Sequence, residues 1–205
     1  MITQTKESQN NMSPELALEY LKEGNARFVN NLNADRNLLE QVKETGGGQF
    51  PFATILSCID SRVSAELVFD QGVGDIFSIR IAGNILNEDI LGSMEFACKV
   101  AGSKLILVLG HNRCGAVNGA IDQVELGNLT GLLNKIKPAI DSVSLESKNE
   151  LGDQSFRAEV VKRNVLDVAN EIPEQSEILR QMILDKEISI AKGVYSVETG
   201  EVIFI

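Results

Sequence analysis

Two stretches of the chain share one design: Phe52-Ala53-Thr54-Ile55-Leu56-Ser57-Cys58-Ile59-Asp60-Ser61-Arg62 and Lys104-Leu105-Ile106-Leu107-Val108-Leu109-Gly110-His111-Asn112-Arg113-Cys114. In each, an apolar run too short for a helix breaks directly into polar residues. Such near-continuous apolar runs mark strands buried on both faces, as in parallel sheets. Asp75 to Ile81 is a third run of the same kind, and helix-length segments lie between the three, at Val63 to Asp70 and Asp89 to Ala101. Strand and helix in alternation predict parallel strands joined by right-handed crossovers. The expected class is α/β, with a mainly parallel central sheet flanked by helices. The sheet is expected to have about four parallel strands. An antiparallel C-terminal edge should come from Val194 to Val197, the turn Glu198-Thr199-Gly200, and Glu201 to Ile205, which read as a hairpin.

On the N-terminal side, Ser13-Pro14-Glu15 reads as a helix start: a hydroxyl cap, proline where no amide bond is lost, and an acid at the positive dipole end. The helix should run to about Asn30. Its apolar residues Leu18, Leu21, Ala26, Phe28 and Val29 form only a loose stripe, so its face packs on the domain or on a second subunit. A second helix, near Leu38 to Glu44, stops at Gly46-Gly47-Gly48. Beyond Cys114, helices are expected near Ala116 to Glu125, near Leu129 to Val143, and as a pair around Pro173, with a solvated loop at Glu146 to Asp153. With no internal repeat, residues 1–205 read as a single domain: an N-terminal helical arm over 1–45 and an α/β core over 49–205.

Composition narrows the function. The 205 residues are 43% apolar and 23% charged, typical of a globular protein and unlike a disordered one. A net charge of -10, from 19 basic and 29 acidic side chains, argues against a nucleic-acid groove or an anionic membrane surface. No apolar run is long enough to span a bilayer, and residues 1–12 have no signal-peptide core, so a cytoplasmic location is expected. Three cysteines, Cys58, Cys98 and Cys114, are too few and too odd in number for a disulfide framework, which leaves core thiols, metal ligands or nucleophiles. His111 is the only histidine.

Ligands bind at the carboxyl ends of strands in open parallel sheets, so the loops after the first and third runs can converge. Two thiolates and one imidazole suit Zn²⁺, and three protein ligands with one open position form a catalytic arrangement. Alone, each residue has a plain structural explanation. A cysteine at a strand end is a small buried hydrophobe, Asp60 caps a helix, and Arg62 is a surface charge. The single imidazole, three residues from a thiol, makes the combination harder to dismiss. Cys98, beside Met94, Ala97 and Ala101, reads as a core residue rather than a fourth ligand.

Cys58-Ile59-Asp60-Ser61-Arg62-Val63, then Gly74-Asp75-Ile76-Phe77-Ser78-Ile79-Arg80-Ile81-Ala82-Gly83-Asn84, then Gly110-His111-Asn112-Arg113-Cys114-Gly115-Ala116 resemble, in order and spacing, the β-class carbonic anhydrases, most strongly over about Gln49 to Val117. The resemblance implies Cys58, His111 and Cys114 as ligands of one Zn²⁺ per subunit, with Asp60 and Arg62 as a catalytic dyad beside the open position. Phe77, Ile81, Phe96 and Gly115 fall at substrate-pocket positions, with Phe96 reaching a neighbouring subunit. Gln49 matches the substrate-binding glutamine of the plant-like subgroup. Many relatives carry tyrosine where Phe96 stands and asparagine where Ile81 stands, so this pocket wall is greasier. Ile55 stands where the bicarbonate-inhibited subgroup has tryptophan, which argues against an allosteric bicarbonate site.

The function so implied is reversible hydration of CO₂ to bicarbonate and a proton by a homodimer or homotetramer. A second possibility keeps the fold and metal but hydrolyses carbon disulfide or carbonyl sulfide. A third, a non-catalytic zinc-stabilised interaction module, sits poorly with the Asp60-Arg62 dyad.

Overall fold

The computed structural model describes residues 3–143 and 152–205. Five strands form one sheet: β1 (Ala53–Ser57), β2 (Ile76–Arg80), β3 (Leu105–His111), β4 (Ser189–Tyr195) and β5 (Val202–Phe204), in the order β2-β1-β3-β4-β5. The first four pair in parallel, β1 to β3 as the apolar runs predicted, and β5 closes the edge antiparallel to β4, as the hairpin reading predicted. From β1 the chain crosses outward to β2, then returns past β1 to β3. This reversal lies between β1 and β3, the place in an open parallel sheet where ligands bind.

Side-chain alternation divides the core. Ala53, Ile55, Leu105, Leu107 and Leu109 face one layer, while Leu56, Ile106 and Val108 face the other. Burying each such leucine or isoleucine contributes about 1.5–3 kcal/mol, so the two central strands anchor both layers. The first layer holds α2 (Pro14–Val29), through Ala17 and Leu21, and α4 (Ala65–Val68). Ser13 caps α2 through a bond from the Leu16 amide, as its sequence suggested. Before it, a short α1 (Lys6–Asn10) carries a Thr5/Ser8 capping box that the sequence reading passed over; after it comes α3 (Leu38–Thr45). The helix expected over Val63 to Asp70 is shortened to the single turn of α4.

The second layer holds α5 (Glu88–Glu95), which continues from Phe96 as a π turn to Val100 rather than as one α-helix to Ala101. Beyond it, α6 (Gly115–Ile121) opens beside Cys114. Leu129 to Val143 is not one helix but two, α7 (Gly127–Leu133) and α8 (Lys137–Ser142), with Pro138 in the first turn of α8, where its missing amide costs nothing. The pair expected around Pro173 is α9 (Asp153–Gln175) and α10 (Glu177–Leu184). Pro173 sits inside the last turn of α9, and the break comes at Ser176, which caps α10. Most of the loop expected at Glu146 to Asp153 lies outside the described residues; Asp153 itself opens α9. β4 begins earlier than the expected hairpin arm at Val194.

Gly110 lets α9 approach β3 closely. A β-carbon there would lie 2.6 Å from Val165 Cγ2 and 3.3 Å from Val161 Cγ1.

Candidate metal centre

Cys58 follows β1 directly, His111 is the last residue of β3, and Cys114 is the N-cap of α6. Adjacent parallel strands thus deliver two ligands, and one turn of loop delivers the third. The Sγ atoms of Cys58 and Cys114 are 4.0 Å apart. One ligand atom from each of the three residues lies within 4.8 Å of the others, and all three residues are buried. A tetrahedral ion with bonds of about 2.0–2.3 Å holds its ligand atoms about 3.5–3.8 Å apart, so a small contraction brings these atoms to a metal.

The donor chemistry fits as well. His111 Nδ1 is 2.9 Å from the Asn112 carbonyl oxygen. A carbonyl only accepts, so Nδ1 carries the proton and Nε2 keeps the lone pair. Among the described residues Nε2 is buried without a hydrogen-bond partner. A buried imidazole lone pair beside two thiols is costly alone and suited to a cation. One of the two thiols is also poised to ionise. A hydrogen bond from Cys114 pulls the Cys58 thiol down to about 4 against the effect of burial, helped by His111 and the Gly83 amide. Cys114 moves the other way, because it holds the proton shared with Cys58, is buried, and sits beside the thiolate. Cys58, His111 and Cys114 could therefore hold a metal ion.

Asp60 stands at the rim of this group, its Oδ2 4.0 Å from His111 Nε2. Arg62 engages both carboxylate oxygens: Nε to Oδ1 at 2.9 Å and Nη2 to Oδ2 at 2.7 Å, with the Arg62 amide also donating to Oδ1 at 3.0 Å. That fork holds the Asp60 carboxyl well below the usual carboxylate range, against a small opposing effect of burial. The two side chains are 17% and 49% exposed, so the pair adds little stability and serves mainly to fix orientation. Arg80, at the end of β2, donates to the carbonyl of Cys58 at 3.1 Å and of Asp60 at 2.7 Å, which pins the loop between them.

Two supports went unnoticed in the sequence. Gly83 has φ 68 and donates its amide to Cys58 Sγ at 3.4 Å. A β-carbon there would meet Ile136 Cδ1 at 2.8 Å. Buried Asn164 on α9 bonds the Gly83 carbonyl at 2.9 Å. The Gly83-Asn84 pair is a turn signal that could have marked the first; nothing local marks Asn164.

Of the other expected residues, Ile81 packs against the core cluster that holds Cys58 and Cys114 and Gly115 follows Cys114 directly, while Phe77 and Phe96 lie elsewhere. Phe77 and Phe96 pack edge to face, centroids 6.3 Å apart, on a groove of about 630 Å³ lined by none of the three candidate ligands. Phe96 is 53% exposed. Ile81 is half-buried just after β2, and its amide donates to the Ser57 carbonyl at 3.0 Å. Gly115 is exposed at the start of α6, and Gln49 is exposed in the coil before β1. Cys98 lies apart in the second core layer with Leu86, Leu91 and Met94.

Residues 53–202 match the carbonic anhydrase family. Carbonic anhydrase 2 of Mycobacterium tuberculosis is 35% identical over 198 residues, covering 94% of this chain and 93% of that protein. The solved structure of the β-carbonic anhydrase CcaA is 27% identical with a TM-score of 0.71, covering 91% of this chain and 94% of that one. A structure of two tetrameric β-carbonic anhydrases from Sordaria macrospora has a TM-score of 0.73, covers 81% of this chain and 89% of that one, and at 20% identity speaks for the fold alone. The family match over residues 53–202, a relative 35% identical along almost the whole chain, and the same fold in a solved β-carbonic anhydrase place this protein in the carbonic anhydrase family and in its β class.

Proposed function

We propose that the protein reversibly hydrates CO₂ to bicarbonate and a proton, using one Zn²⁺ held by Cys58, His111 and Cys114. The observation that carries this is the convergence of those ligand atoms within 4.8 Å, with the Arg62-held Asp60 4.0 Å from His111. Zinc held there supplies a Lewis acid that makes water acidic enough to react near neutral pH. Asp60, kept ionised by Arg62, accepts a hydrogen bond from the attacking oxygen and aims its lone pair at the carbon. With both Asp60 oxygens engaged by Arg62, Asp60 would orient the reacting oxygen and would not itself be a ligand of the metal. A crystal at pH 7 with Asp60 bonded to the metal would overturn that arrangement.

CO₂ is small and apolar, and Phe77, Ile81, Phe96 and Gly115 suit it as walls, with the Gln49 amide donating to bicarbonate. The exposed Phe96 supports a pocket completed by a second copy. Exposed Leu16 and Tyr20 on α2, with Leu38, Leu39 and Val42 on α3, support an N-terminal arm over 1–45 that docks on a partner of the 49–205 core. A homodimer or homotetramer follows, and the Sordaria macrospora enzymes of this fold are tetrameric. No helix among the described residues is long and apolar enough to cross a membrane, and the acidic charge suits the cytoplasm. His111 is the chain's only imidazole and serves the metal, so the product proton leaves through water, buffer or a carboxylate.

Stopped-flow CO₂ hydration tests this. Chelation should abolish turnover and zinc should restore it. Asp60→Asn should keep stoichiometric metal while lowering kcat/KM by about 10²-fold. Zinc-loaded protein without hydration activity, or full activity after complete metal removal, would refute the proposal.

A further inference from the structure

Between His111 and Cys114 the chain has no regular secondary structure, yet both residues must hold their places. The structure shows what restrains it. Asn112 is gripped at three points by the end of β4 and the turn that joins it to β5. Its amide donates to the Tyr195 carbonyl at 3.0 Å, its Oδ1 accepts from the Val197 amide at 2.9 Å, and its Nδ2 donates to Glu198 Oε2 at 2.9 Å. Its carbonyl in turn accepts the Nδ1 proton of His111. Arg113, at φ 53, adds an ion pair to Glu198 Oε1.

We propose that Asn112, locked by the Val197-Glu198 turn, is a positioning residue for the metal centre: it orients the His111 imidazole through its own carbonyl and fixes the His111-to-Cys114 spacing. The inference rests on the zinc reading above. Both partners of the Arg113-Glu198 pair are about half exposed, and such pairs contribute little, so the clamp's strength lies in the Asn112 amide bonds. Groups that orient a histidine ligand from behind are worth about 10–100-fold in metal affinity. Asn112 and Glu198 lie 86 positions apart, so the end of the chain helps hold a metal to which it offers no ligand.

The test is zinc release from the loaded protein into a chromophoric chelator, together with the absorption spectrum of the cobalt(II) form. Asn112→Ala should speed release about tenfold or more and broaden the cobalt bands. Asn112→Asp should do the same, because it faces one carboxylate with another. Adding Glu198→Gln to Asn112→Asp exchanges donor and acceptor across the pair and should return the release rate most of the way to that of the unaltered protein. Arg113→Ala should change release by less than about threefold. Release unchanged in Asn112→Ala, or no recovery in the double variant, would overturn the clamp. If the unaltered protein takes up no zinc at all, it is the zinc reading that fails, and the two failures are told apart before any variant is made.

Discussion

Cys98 and Cys58 are equally hidden, at 2% and 4% exposed, yet their surroundings drive them to opposite chemistry. Cys98 meets the side chains of Leu86, Leu91 and Met94, and burial pushes its thiol up to about 12. Cys58 is as deep, but a second thiol, an imidazole and the Gly83 amide bring it down to about 4. Depth therefore says little about whether a cysteine does chemistry; the donors around it decide.

The strongest way to break this contrast is Cys114→Ala. Zinc content should fall to background, and CO₂ hydration should drop about 10³-fold or more, since both the metal and its reactive water go with the ligand. Metal analysis and stopped flow read the result, and stoichiometric zinc in the variant would erase the distinction between the thiols.

Alkylation of the metal-free protein sharpens it. Cys58 is already thiolate at neutral pH, so its labelling should be nearly level between about pH 6 and 8 and should fall as the pH drops toward its folded value near 4. Cys98 becomes thiolate only as pH rises toward about 12, so native protein should leave it unlabelled across the same range. Mass spectrometry of tryptic peptides separates the two. Equal labelling would show that the donors around Cys58 do not act as described.

The smallest effect belongs to Cys98→Ala. Zinc content and kcat/KM should stay within about twofold, while the lost sulfur costs about 1 kcal/mol in denaturant unfolding. A loss of zinc there would make Cys98 part of the centre after all.

What could be read in advance follows the same division between local and distant causes. β1, β2 and β3 were legible because strands buried on both faces are apolar throughout. β4 was legible only from Val194, because Ser189-Ile190-Ala191-Lys192-Gly193 near the sheet edge is only partly covered and carries no clean run. The break after Pro173 came at Ser176 because a cap, not the proline, restarts the helix there. Cys58, His111 and Cys114 were legible from ligand chemistry and motif spacing. Asn164 and Glu198 were not, since they reach the site across the fold, Asn164 through one bond to Gly83 and Glu198 through Asn112 and Arg113, and such contacts leave no periodic trace. Phe77 and Phe96 were named as pocket residues, but a single chain places them on a groove away from the ligands.

The close approach at Gly110 carries a wider consequence. That residue precedes His111, and the long helix behind it presses the side chains of Val161 and Val165 against the bare backbone of the strand. One added methyl group would have to push either Val165 or the strand. If the strand moved, the imidazole would move with it. The thickness of a hydrogen atom thus sets where His111 stands relative to Cys58 and Cys114, and the pressure of the core becomes a dial on the spacing of the three candidate ligands.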